Sequence, residues 1–577
     1  MKTASSCRRR IRGVTLLLAA CLSTPGAALA GDSGHPQPRL ILQITVDQLR
    51  GDLPTRYYER LGDGGFRYLW EEGIVYRDAH HAHANTETIV GHTTLATGAH
   101  PSRHGMVGNL WFDRETGFIT YNVEDPDYRL LTAGADVDAD AEIDPTQRAA
   151  RSEGRSPAAI LVSTFADELR SSSGGRGKAV GVSVKDRGAI AMAGHAGTAY
   201  WFSKAGGEFV TSTYYAKRYP DWVTAFNDRQ LPRRYANTSW ELLSDRESYL
   251  FGDSDDREWE ADVAGFGRTF PHEFGDGTSR YFTTWLTLSP AGDELVLEFA
   301  KAALKGERLG EDTITDYLSV SFSSTDYVGH VFGPSSLEAE DNILRLDRSI
   351  AALLAFVDRE VGLENTLVVL SADHGAPDAP GYLNSLGIPA GYVRPDDWEK
   401  DAAIARIKEA HGITGDLIET YAHPYLYFAA SVKNNPDIDL ESLEATVVEE
   451  IAKFPGVSLA VSSAALRRGR LSETGLLRAV INNFHAKRSG DVYVVFEPNW
   501  FINDFDGLEV ASTHGSPWNY DTYVPIVFAG AGIEPATVDQ RVHTVDIAPT
   551  LAAFLRIKPP SGSVGSTLHE VLRPRGR

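Results

Sequence analysis

The stretch "NTLVVLSADHGAP", residues 365–377, joins an apolar run to an abrupt polar stop. Thr366 to Leu370 read as a strand buried on both faces, because nothing polar alternates with the aliphatic side chains. At Asp373 and His374 a carboxylate and an imidazole stand side by side where that strand must end. Four other runs share its look: "RLILQITVD" (39–47), "GKAVGVSVKD" (177–186), "DYLSVSFSSTD" (316–326) and "YVPIVFAG" (523–530). All five are expected to be parallel strands. Helical patterns separate them, the longest over 336–361, with apolar residues three and four apart and acids near its start. Strand and helix in alternation predict an α/β fold: a mostly parallel central sheet sandwiched by helices, with inserted cap regions. Two stretches interrupt the rhythm, at about 200–300 and about 380–480, and both read as insertions.

Polar residues gather at the strand ends. Asp47 closes the first run, Lys185 and Arg187 the second, Asp326 the third, and Asp373 with His374 the fourth. A lone Asp after a strand is ordinarily a turn-former. Several together point to a site outside the carboxyl ends of the strands, where open α/β sheets bind ligands. In "TDYVGHVFG" a helix starting at Asp326 puts its carboxylate and the His330 imidazole on one face. His514, in the Gly- and Ser-rich "ASTHGSPWNYDTYVP", adds a third imidazole. Three Asp and three His exceed the needs of one tetrahedral zinc and suit two metal ions that share a reacting oxygen. A nucleophile is expected in "NTETIVGHTTLATG" (85–98), where a hydroxyl at a helix N-terminus meets positive backbone dipoles. On chemistry alone Thr86, Thr88, Thr93 and Thr94 all compete for that role.

Composition bounds the rest. The chain has 577 residues, 42% hydrophobic and 23% charged, as in ordinary globular proteins. Its formal net charge is −22, and the first 30 residues hold five basic side chains and no acid, so the remainder is more acidic still. Such a surface repels nucleic acid and anionic membranes. Residues 1–30 read as a signal peptide: a basic "CRRRIRG", an apolar "VTLLLAACL" and a small-residue end at Ala28-Leu29-Ala30. Residues 31–577 are then the exported domain, periplasmic or secreted, with no cysteine and no transmembrane segment. "LAAC", ending at Cys21, offers the alternative of a lipid anchor.

The motifs "TVDQLRGD", "TETIVGHTTLATGAHPSRHGMVGN", "SVKDRGAIAMAG", "STDYVGHVFGP", "SADHGA", "STHGSPWNYDTYVPIVF" and "VDIAPTLAAFL" occur in this order from about residue 39 to 556. In that order and spacing the chain resembles the alkaline phosphatase superfamily. It is most similar to the PafA-type single-chain alkaline phosphatases, relatives of the nucleotide pyrophosphatase/phosphodiesterases. The resemblance implies two zinc ions per chain, one held by Asp326, His330 and His514, the other by Asp47, Asp373 and His374. It singles out Thr88 as nucleophile and as a ligand of the second zinc, four residues before His92. It implies that the Asn109 amide binds a phosphoryl oxygen and that Lys185 and Arg187 are the basic pair facing the phosphate. Phosphodiesterase relatives usually carry a Pro between the positions of Thr88 and His92; its lack here favours the monoesterase branch. A sulfatase-type Cys-x-Pro-x-Arg stretch is absent.

The reading is an exported two-zinc alkaline phosphatase that hydrolyses small-molecule phosphate monoesters through a phosphothreonine. Nothing in the sequence fixes the oligomeric state, and a monomer is the expectation. A type I phosphodiesterase on the same scaffold is the first alternative, and a catalytically idle zinc- or phosphate-binding surface protein the second. The triplet His80, His81 and His83 fits no zinc spacing and is expected in a polar loop at the site mouth. His92 is expected to pack the helix behind Thr88.

Overall fold

The computed structural model describes residues 37–573, save 470 and 506. The expected signal peptide and both cysteines lie outside the described residues. Nine strands form the central sheet: β1 (Leu40–Val46), β2 (Ile74–Tyr76), β3 (Ala179–Ser183), β4 (Thr198–Ser203), β5 (Glu208–Val210), β6 (Asp316–Phe322), β7 (Thr366–Ser371), β8 (Ile526–Gly530) and β9 (Ala536–Val538). Their order across the sheet is β9-β2-β8-β7-β1-β6-β3-β4-β5. The center is parallel: β1 pairs with β6 and β7, β6 with β3, and β3 with β4. Every residue of β1, β6 and β7 is buried, in keeping with their aliphatic-rich runs.

Successive side chains of β1 feed opposite layers, as strand geometry requires. Leu40, Leu42, Ile44 and Val46 pack into one core, with helices α4 (Pro290–Gly306) and α6 (Leu337–Glu360). Ile41 packs into the other, with α1 (Thr88–Thr97), α2 (Phe165–Ser172), α3 (Asp186–Ala193) and α7 (Ile547–Leu555). Helix α5 (Ser324–Phe332) follows β6 directly. The result is three layers, helix on sheet on helix.

One strand departs from expectation. β8 runs antiparallel to both β7 and β2. The loop that carries His514 already lies at the carboxyl edge of the sheet, so the chain leaving it can only run back down. A fully buried antiparallel strand has the same composition as a parallel one, and the sequence pattern does not separate the two.

The two interrupting stretches differ in kind. β4 and β5 belong to the central sheet, and beyond them residues 211–289 are mostly irregular, packing Trp240, Phe266 and Phe274 onto the first core. The later stretch builds its own antiparallel sheet, ordered 418–422, 425–428, 492–496, 457–462, with its own core around Ile404, Leu443, Val447 and Val494. Tyr425, Tyr427 and Tyr493 join it to Ile89 and Val90 of α1, so this sheet braces the helix that begins at Thr88.

Candidate active site

The ends of β1, β6 and β7 and the loop before β8 meet at one edge of the sheet, and the six predicted ligands meet with them. Asp326 Oδ1 lies 3.2 Å from His330 Nε2 and 3.3 Å from His514 Nε2. His374 Nε2 lies 3.4 Å from Asp47 Oδ1 and 3.5 Å from Asp373 Oδ2. The His374 and His514 rings stack with centroids 3.5 Å apart. Two triads have ligand atoms within 4.8 Å of one another and can each hold a metal ion: Asp326, His374 and His514, and Asp47, Asp373 and His374. His374 therefore reaches both groups, and His330 approaches the first through Asp326.

Three features fit this donor set to metal. Each imidazole has its Nδ1 against a backbone carbonyl: His330 on Ser512 at 2.7 Å, His514 on Thr86 at 2.8 Å and His374 on Gly375 at 3.0 Å. A ring that donates through Nδ1 presents an unprotonated Nε2, the form that ligates. Second, His374 Nε2 and Asp47 Oδ1 are buried without a hydrogen-bond partner, a condition that costs stability unless something else satisfies them. Third, three buried carboxylates face one ammonium, that of Lys185. Mixed Asp and His ligands with no Cys suit zinc among the common ions.

The electrostatics follow from burial and these neighbours. Burial and then Asp373 push Asp47 well above the usual carboxylate range, against the pull of Lys185. Burial also pushes Asp326 up, but His330 and Lys185 outweigh it and hold that carboxyl well down. Burial drives His374 far below the usual imidazole value.

Thr88 opens α1 as its first residue, behind the extended N-cap Glu87. Its Oγ1 is buried and makes no hydrogen bond. It shares a cleft with Asn109, Arg187, Asp326, His330 and His514. Asn109 Oδ1 accepts from Ile89 N at 3.1 Å, which leaves the Nδ2 of that amide as the free donor. Arg187 donates through Nη1 to Asp144 Oδ2 at 2.8 Å, while its buried Nε has no partner. Lys185 does not line the cleft. Its Nζ sits 2.8 Å from Asp47 Oδ2 and also bonds Asp326 Oδ2, below the floor.

His92 ties the helix to the sheet ends, with Nδ1 2.9 Å from Thr88 O and 3.0 Å from Asp373 Oδ2, and Nε2 2.9 Å from Ser321 Oγ. The helix comes this close only because residue 91 is Gly: a Cβ there would sit 2.0 Å from the Asp373 carbonyl oxygen, a backbone atom that cannot swing aside. Gly91→Ala should therefore cost about 1–3 kcal/mol of stability and shift Thr88 away from Asp373. Thermal unfolding and phosphatase rate measured together check this. A lower melting temperature with full activity would mean the helix relaxes without moving Thr88.

His80, His81 and His83 are not at the mouth. His81 is buried, donates through Nε2 to Ala372 O at 3.1 Å just past the end of β7, and does not line the cleft. His83 is fully buried with neither ring nitrogen bonded, and only His80 reaches an acid, Asp78, at 2.9 Å. All three histidines are buried, which their polarity hid.

Sequence reasoning also passed over residues that hold the site. Gln48 donates from its backbone N to Asp373 Oδ1 at 3.2 Å and from Nε2 to Asp326 Oδ1 at 2.8 Å, linking the two carboxylates. It does so at φ 67°, a left-handed conformation rare for a non-glycine residue. Its position next to Asp47 was its only signal. Asp521 accepts from Gly515 N, Ser516 N and Ser516 Oγ at 2.6–3.1 Å and so shapes the His514 loop. Glu87 accepts from Asn109 N at 2.6 Å. Burial pushes Asp521 up to about 8 and Glu87 up to about 7.

The chain is similar to known proteins. The family model of type I phosphodiesterase / nucleotide pyrophosphatase matches residues 41–517. Alkaline phosphatase PafA of Elizabethkingia meningoseptica is 35% identical over 93% of this chain and 95% of its own. A protein of Myroides odoratus named calcium-transporting ATPase is 33% identical over 97% and 99%. Alkaline phosphatase PhoV of Synechococcus elongatus is 34% identical over 93% of each. The crystal structure of wild-type PafA superposes with a TM-score of 0.83, covering 93% of this chain and 99% of that one. The chain belongs to the type I phosphodiesterase / nucleotide pyrophosphatase family of the alkaline phosphatase superfamily, beside the PafA and PhoV alkaline phosphatases.

Proposed function

We propose that this protein is a metal-dependent phosphate monoesterase that works through a phosphothreonine at Thr88. The observation that carries the reading is the unbonded Thr88 hydroxyl at a helix start, in one cleft with Asp326, His330 and His514, whose cluster Asp47, Asp373 and His374 extend. Zinc, about two ions per chain, held by Asp47, Asp326, His330, Asp373, His374 and His514 with Thr88, would supply the charge that lowers the hydroxyl pKa and offsets the leaving oxygen. Thr88 Oγ1 bonds phosphorus as the ester bond opposite breaks, and water later releases phosphate and restores the hydroxyl. The first amides of α1 add positive dipole at the same point. The Asn109 amide and the free Arg187 donors take phosphoryl oxygens, where charged hydrogen bonds are strongest. The terminal phosphoryl group of a nucleoside triphosphate presents the same face, which accommodates the ATPase name among the relatives.

We also propose export through residues 1–30. Among the described residues no helix is long and apolar enough to cross a membrane.

The test is a comparison of 4-nitrophenyl phosphate with methyl 4-nitrophenyl phosphate, which share a leaving group. The monoester should be cleaved faster by orders of magnitude; a preference for the diester would make the protein a phosphodiesterase, and no hydrolysis of either would leave it an idle binder. Elemental analysis should find about two zinc ions per chain, and chelation should remove activity that zinc restores. A single ion, magnesium alone, or activity that survives chelation would count against the ligand set.

A further inference from the structure

The cleft is polar at its floor and apolar above it. Its volume is about 1020 Å³ including the open mouth. Val263 and Leu288, from the irregular 211–289 stretch, line one side. Facing the same space is a short hairpin, Asp504–Phe505 paired with Leu508–Glu509, in which Phe505 and Leu508 stand directly opposite each other. Cross-strand partners share a face of the hairpin, and both line the cleft. Both remain partly exposed, unlike core residues of their type.

The hairpin is fixed to the site. Val510 N donates to Asn503 O at 3.0 Å, closing its base, and Arg148 Nη2 donates to Phe505 O at 2.8 Å. Immediately after it, Ala511 N donates to His330 O at 2.8 Å, and His330 Nδ1 meets Ser512 O at 2.7 Å. The apolar wall is thus continuous with the chain that orients His330 and His514. A phosphoryl group attacked in line by Thr88 releases its alcohol on the face away from Thr88. What extends from the phosphate toward the cleft mouth meets this wall.

We infer that Phe505 and Leu508 form a leaving-group subsite that selects phosphate monoesters of apolar alcohols, aryl or arylalkyl in kind. The inference rests on the monoesterase reading and adds its substrate class. An apolar group leaves water on entering; a sugar or glycerol group would give up hydrogen bonds to water without gaining partners from these side chains.

The test pairs 2-phenylethyl phosphate with ethyl phosphate, whose alcohols have nearly equal acidity, so that leaving-group chemistry is matched. Wild type should favour the phenylethyl ester by about tenfold or more in kcat/KM. Phe505→Ala/Leu508→Ala should bring that ratio toward one, and Phe505→Leu should keep most of it. Ratios near one in wild type, or a ratio unchanged in the double variant, would overturn the inference while the monoesterase reading stands. Equal losses on both esters would overturn it too, because they would mean the hairpin acts through His330 and His514. Hydrolysis of neither ester by wild type would overturn both.

Discussion

Thr88→Ala is expected to fold, to trap no phosphate after acid quench, and to turn over monoesters at least about a thousandfold more slowly. Removing one hydroxyl from a buried, unbonded position costs the fold little, since Oγ1 makes no hydrogen bond to lose. It costs the chemistry its acceptor atom. Thr88→Ser should retain covalent trapping at reduced rate, because the oxygen survives while the methyl group that restricts its rotamer is gone. The competing threonines differ in their surroundings. Thr86 Oγ1 donates to Ser516 O at 3.0 Å and Thr94 Oγ1 lies 3.2 Å from His104 Nε2, so both hydroxyls are engaged in structure. Thr93 is unbonded but lies mid-helix, away from the cleft lining. Phosphate trapped on any of the three in the Thr88→Ala protein would reassign the nucleophile and leave the class of reaction intact.

These surroundings show what a sequence can and cannot disclose. Asp47, Asp326 and Asp373 were legible because strand runs are local, and a polar residue at the end of a buried strand stands out against them. His514 was legible as a residue type in a loop, but its position beside His374 depends on β8 turning back along β7, a pairing between segments more than 150 residues apart. The strand's direction was misread for the same reason: burial fixes composition, and composition does not carry direction. Gln48 was passed over because its work is done by a backbone angle and by contacts to residues about 280 and 325 positions away. Asp144 sits in "DVDADAEID", a run in which acids alternate with apolar residues and no buried strand marks a site. In the fold Asp136, Glu142 and Asp144 each take a different basic side chain, namely Arg155, Lys204 and Arg187. The family resemblance supplied roles that local pattern alone left open, Thr88 over its neighbours above all.

Lys185→Ala/Arg187→Ala is expected to slow monoester turnover by roughly two to four orders of magnitude, at about 1.5–3 kcal/mol for each charged hydrogen bond. Diester turnover should fall far less, because a diester has one anionic oxygen where a monoester has close to two charges to neutralise. The geometry now divides the pair. Arg187 lines the cleft with a free Nε, and Asp144 holds its guanidinium in place, so Arg187→Ala should carry most of the monoester-specific loss. Lys185 bonds Asp47 and Asp326, so its removal withdraws the one ammonium that faces three carboxylates. The two effects separate by metal content. Arg187→Ala should retain zinc as wild type does and lose rate on the monoester. If Lys185→Ala also retains zinc and loses rate on the monoester alone, the ammonium contributes to phosphoryl recognition from below the floor. If it changes zinc content and slows both esters alike, Lys185 serves the carboxylates, and discrimination between monoester and diester rests on Arg187 and Asn109. Equal losses on both esters in Arg187→Ala would remove charge recognition as the source of the preference altogether.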